Sequence, residues 1–118
     1  MSLITRNQYN QLLENGKLQN CFKDHYPVVK LYLPGTPGCV WLLTKINSKR
    51  PHIAYGLCDY GLGYPELYGV DLITLNSFRN AFGQKVKRDK FFLATHRLSD
   101  YACIANYYRQ IVEAEPFI

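Results

Sequence analysis

The chain has 118 residues, 47% of them apolar and 19% charged, the composition of one globular domain (1–118) with a single core rather than of a disordered chain. No run approaches the roughly 18 continuous apolar residues of a membrane span, and the N-terminus lacks a charged-then-apolar leader. The expectation is therefore a protein that starts at or near Met1, stays in the cytoplasm and has no membrane partner; its net charge of +5 raises nucleic acid as a partner without deciding it.

The first predicted element is a helix over about 6–15. Thr5 and Gln8 have the spacing of a capping box, Ile4 and Tyr9 that of a hydrophobic staple, and Asn15-Gly16 supplies a left-handed stop. From Tyr26 the period changes to that of strands. Residues 28–33 form a strand that ends at the turn cluster 34–38, and 39–46 return antiparallel to it. After a turn at 47–51, a third strand occupies 53–58. Val40, Leu42 and Ile46 alternate with Trp41 and Leu43, so both faces of the second strand are apolar and both sides of the sheet need a cover.

A Gly-rich connection, 59–65, leads to an edge-like fourth strand over 66–70. Asp71 then caps a helix over about 72–82, with Leu72, Leu75, Phe78 and Phe82 on one side and Gly83 as its stop. A short strand is expected within 87–93, around Phe91-Phe92. Ser99 is placed to cap the last helix, with Asp100 favourable at its positive end. The apolar positions of that helix are Tyr101, Ile104, Ala105, Tyr108, Ile111 and Val112. The fold class that follows is α+β, a small antiparallel sheet of about four to five strands with N-terminal, middle and C-terminal helices.

Several strings resemble a bacterial family known as domain of unknown function 2958. They are LITRNQYNQLLENG, YPVVKLYLPGTPGCVWLLTKI, IAYGLCDYGLGYPELYGVDL and VKRDKFF, followed by the Tyr/Ala-bearing C-terminal helix. GLCDYGLGYPEL is the most specific of these, because strand patterning alone does not require it. Within 72–82 the chain departs from the family pattern, carrying Ile73, Thr74 and Asn76 where a Ser/Glu-rich face is usual. The resemblance implies a context of plasmids, integrative elements and phages, near conjugation or anti-restriction genes. It implies no catalytic residues.

Candidate chemistry is sparse. Asp59, Glu66 and Asp89 could hold Mg²⁺ and activate water in a nuclease, but Glu66 is followed by Leu67-Tyr68 and lacks the companion lysine two residues on. As structural groups, Asp59 fixes the Gly-rich turn and Asp89 pairs with Arg88. Cys21 and His25, with Cys39 or His52, make only one close pair of the two that structural zinc normally shows, so no metal or other cofactor is expected. The four cysteines lie far apart without a C-x-x-C and are expected to be reduced and mostly buried. Gly56, Gly61 and Gly63 suit a turn, not a phosphate cradle, since no Lys-Ser/Thr or helix start follows.

Two features remain for binding. The stretch 79–97 carries a net +5, concentrated at Lys85, Lys87, Arg88 and Lys90 beside Phe91-Phe92, which suits phosphates and bases. Strand alternation puts Lys85 and Lys87 on one face and Arg88, Lys90 and Phe92 on the other. Ten tyrosines include Tyr60, Tyr64 and Tyr68 in or beside the Gly-rich connection, where Tyr offers contact area at low entropic cost. The reading that follows is a non-enzymatic binding module of a mobile element. Its partner is a host-defence or DNA-transfer protein, or the nucleic acid that such a protein handles. Direct DNA or RNA binding and a metal-dependent nuclease are the alternatives.

Overall fold

The computed structural model describes residues 3–113. Three helices and a five-stranded antiparallel sheet make an α+β fold: α1 (Arg6–Asn15), β1 (Val29–Tyr32), β2 (Cys39–Ile46), β3 (Ile53–Tyr60), β4 (Glu66–Asp71), α2 (Leu72–Ser77), β5 (Lys87–Arg88) and α3 (Leu98–Tyr108). The sheet order is β4-β3-β2-β1-β5. Short turns join the first four strands into a meander, and the chain then crosses to the opposite edge to add β5.

The register divides the side chains between two cores, because successive residues of a strand point to opposite faces. Val29, Leu31, Trp41, Leu43, Ala54, Cys58 and Val70 meet Leu12 of α1 and Leu72 and Leu75 of α2, and Ile46, which strict alternation put with Val40 and Leu42, joins them because the register shifts between Leu43 and Lys45. On the other face, Leu42 and Leu57 meet Leu98, Tyr101 and Ala105 of α3. Covered on both sides, β2 can be apolar on both faces over Cys39–Leu43.

α1 starts as its sequence predicts. The Thr5 hydroxyl accepts the Gln8 N–H at 3.1 Å, the Gln8 side chain accepts the Thr5 N–H at 3.0 Å, and Ile4 and Tyr9 both join the larger core. Its end differs from expectation. Gly16 has φ −87°, an ordinary right-handed value, so no left-handed stop is used. Glycine stands there for space: a Cβ would lie 1.9 Å from the Ile46 carbonyl oxygen. Nearby, a β-bulge between Leu43 and Lys45 leaves Thr44 out of the ladder, and buried Asn15 donates to the freed Thr44 carbonyl at 2.9 Å. Helix and sheet are locked by one side chain.

Three other expectations need correction. α2 ends at Ser77, not near 82. Asp71 does cap it, accepting from Ile73 and Thr74, but Phe78 is extended and Arg79 forms an antiparallel bridge with Lys85. The Asn80 carboxamide organises the return, donating to Pro34 O and accepting from the Phe82 and Gln84 N–H groups. A local turn anchored to a distant one outcompetes continued helix.

The strand expected around Phe91-Phe92 is only the pair Lys87–Arg88. Asp89 accepts the Phe91 N–H at 2.9 Å and turns the chain. Finally, Ser99 lies inside α3, whose N-cap residue Arg97 makes no side-chain cap. The cap comes from far away in sequence: the Asp24 carboxylate accepts both the Ser99 N–H and its hydroxyl.

Candidate binding surface

The β3–β4 connection is held from below by an aspartate. Asp59 is 1% exposed and both its oxygens are used: one accepts the Gly61 N–H at 2.8 Å, the other the Ile111 N–H at 3.1 Å. A buried carboxylate needs such donors, and these two tie the turn to the chain leaving α3. Gly61 takes φ 77°, and a Cβ there would sit 2.6 Å from Pro37 O. The tight turn therefore packs directly on the β1–β2 turn. Asn80 in its turn ties the 80–84 loop to the β1–β2 turn through Pro34 and Thr36. Three loops thus form one end of the sheet.

That fixed platform presents apolar groups to solvent. Tyr64 is 70% exposed and Leu62 is 75% exposed. Tyr60 is partly exposed, stacks on Tyr68 at 6.3 Å between ring centroids, and meets the buried Trp41 edge-on at 5.6 Å. Tyr68 packs against the core as the floor of this group. Burial, then a hydrogen bond with the Tyr60 hydroxyl, raises its phenol above the usual range. The three tyrosines therefore differ in kind: Tyr64 protrudes, Tyr60 is at the rim and Tyr68 supports. Sequence reasoning passed over Leu62 and gave the exposed Phe82 to the apolar side of a helix; an apolar residue between two glycines, Gly61 and Gly63, was the signal for the former.

The basic residues lie elsewhere. β5 and β4 are opposite edges of the sheet, about 19 Å apart at roughly 4.8 Å per strand. Lys85, Lys87 and Lys90 are exposed, whereas Arg88 is half-buried and engaged. Lys87 and Arg88 pair with Tyr32 and Leu31 respectively and so point to opposite faces, as alternation predicts. The tyrosines and the basic edge do not form one continuous patch across the sheet.

The carboxylates are likewise dispersed. Asp59 is opposite Val40 on the α3 face, and Glu66 opposite Cys58 on the α1 face. Asp89 pairs with Lys30 at 3.6 Å, and Lys30 also meets Glu113 at 2.6 Å. Among the described residues no group of three His, Cys, Asp or Glu side chains could hold a metal ion. His25 is engaged with the Asn20 carbonyl at 2.8 Å, and His96 with the Thr95 hydroxyl. The cysteines are free thiols; Cys39 and Cys58 are buried, Cys21 is half-buried and Cys103 is exposed.

The family model "Protein of unknown function (DUF2958)" matches residues 3–112. The chain belongs to that family. Searches of the curated proteins and of the solved structures return no match. The family match includes all three loops of the platform, 34–38, 61–65 and 80–84, together with every helix and strand. No helix among the described residues is long and apolar enough to cross a membrane.

Proposed function

We propose that this DUF2958 chain is a non-enzymatic binding module of a mobile genetic element that occupies a surface on a host-defence or DNA-transfer protein. The observation that carries the binding half is the exposure of Leu62 and Tyr64 on a turn anchored by the buried Asp59. Exposed apolar groups on a pre-ordered turn lose little conformational entropy on contact, which favours a binding role over a packing one. The dispersal of Asp59, Glu66 and Asp89 favours binding over hydrolysis. The partner class comes from the gene neighbourhood that the family resemblance implies.

The test is capture from a lysate of the native host, with bound proteins identified by mass spectrometry. The unmodified chain is expected to retain a restriction, nuclease or conjugation protein, and Leu62→Ala with Tyr64→Ala to lose it at unchanged melting temperature. Retention of the same proteins by the double variant removes this surface from the reading.

A second reading, direct nucleic-acid binding, is favoured by the exposed Lys85, Lys87 and Lys90 next to Phe91, which is 94% exposed. It predicts affinity for single-stranded oligonucleotides that falls steeply with added salt. Lack of any salt-sensitive shift sets it aside.

A further inference from the structure

The two edges of the sheet are finished differently. β5 is two residues long and both are basic, two of the devices by which proteins keep a sheet edge from pairing with other chains. β4 is neither short nor basic; its charges are the carboxylates of Glu66 and Asp71 at its two ends. It is six residues long, contains neither lysine nor proline, and runs beside β3 without a register shift. Among the described residues no strand pairs with its outer side.

The direction of its backbone groups follows from the register. The Leu72 N–H donates to His52 O at 2.8 Å, which makes that pair a hydrogen-bonded one. Alternation makes Val70–Ala54 and Tyr68–Gly56 bonded pairs as well. The N–H and C=O groups of Leu67 and Gly69 therefore point away from the sheet, as does the N–H of Asp71, whose C=O begins the α2 ladder. Leu67 and Gly69 are exposed. Gly69 is a mid-strand glycine without a bulge; a Cβ there would lie 2.9 Å from Ile53 Cγ2, so the neighbouring strand accounts for its lack of a side chain.

We propose that β4 is an acceptor edge for an extended, acidic peptide segment of the partner, added as a sixth strand. The proposal rests on the reading above that the adjoining tyrosine turn meets a protein, and it names how that contact is made. Tyr64 and Pro65 lead straight into β4, so the exposed turn and the open edge are one surface. Beside the edge lie two cavities. One, of about 420 Å³, is lined by Gly69, Tyr55, Phe22, Lys45 and Arg50. The other, of about 300 Å³, is lined by Tyr64, Glu66, Asn106 and Arg109. Successive side chains of an added strand would point to alternate faces, within reach of the cavities at the two ends of the edge.

The cavities carry Lys45, Arg50 and Arg109 against Glu66, and Asp71, the other carboxylate of the edge, is engaged as the cap of α2, which selects an acidic occupant. A chain of net charge +5 repels its own copy, which disfavours β4 pairing with a second β4.

The test uses a phage-displayed library of random linear peptides as probe, with amide hydrogen exchange as readout. Selected peptides are expected to be rich in acidic and β-branched residues. They should slow exchange at the Leu67, Gly69 and Asp71 amides, while Tyr68 and Val70, already bonded to β3, change little. Leu67→Pro deletes an outward N–H without touching the β3 ladder and should weaken binding by about tenfold or more, whereas Leu67→Ala should not. Unchanged exchange at the three amides overturns the proposal, as does a library yielding no binder sensitive to Leu67→Pro. Slowed exchange that appears in the chain alone at high concentration, with dimer in sedimentation, assigns the edge to a second copy and overturns it too. Host-protein capture that needs Leu62 and Tyr64 but leaves these amides unchanged would sink strand addition alone; peptide binding at the edge without capture would sink the proposed partner alone.

Discussion

Asp59 shows how one side chain can be read two ways. As a metal ligand it would be dispensable for folding; as the anchor of two backbone N–H groups it is part of the fold. Its burial and its two bonds decide for the second. Asp59→Ala should cost about 2–3 kcal/mol, the scale of charge-assisted bonds whose donors are left buried, and Asp59→Asn less, because one carbonyl oxygen remains to accept. Urea unfolding measures both, and equal stability of all three proteins would contradict the anchor.

The thiols give a pH prediction. Burial pushes Cys58 up to about 12 and Cys39, with the nearby charge of Asp59 adding, up to about 11, from an ordinary value of 9.0. A thiol that ionises more easily when unfolded stabilises the fold fully below pH 9 and loses that contribution as pH rises toward 11–12. The urea midpoint should fall through that window, and less steeply in Cys58→Ala. A thiol reagent at neutral pH should label Cys103 at once, and Cys39 and Cys58 only on unfolding.

At the scale of elements, what could be read in the sequence depended on whether the deciding contact was local. The capping box of α1 uses residues three apart and was legible. The bounds of β2 followed from an apolar-rich run between two turns. The start of α3 was not legible, because its cap is Asp24, 75 positions upstream of Ser99. The end of α2 was hidden for the same reason: Asn80 is held by Pro34 and Thr36. Gly16 was legible as an end but not for its cause, since the Ile46 carbonyl that excludes a side chain is brought there by the fold.

Two mutational predictions follow at this scale. Asp24→Ala should destabilise by about 1–2 kcal/mol and speed exchange of the first α3 amides, and Ser99→Ala should cost less, because its N–H keeps the Asp24 acceptor. A sequence-local cap would give the reverse order. Gly16→Ala should cost about 1–3 kcal/mol through displacement of the Ile46 carbonyl, visible as a lower melting temperature.

For the whole molecule, the candidate surface was half legible. Tyrosines beside glycines marked the β3–β4 turn, and the lysines marked β5. What a linear reading could not supply was the strand order, which puts these two features on opposite edges and makes one edge closed and the other open. Nor could it show that Tyr68 supports the turn from within while Leu62 faces water. The tyrosine turn and the free edge of β4 now form the surface on which the functional account stands. The measurement that tests it most directly is host-protein capture by the unmodified chain and by Leu62→Ala with Tyr64→Ala, with melting temperature measured alongside. The account predicts capture by the first, loss in the second and the same melting temperature for both; equal capture by both would contradict it.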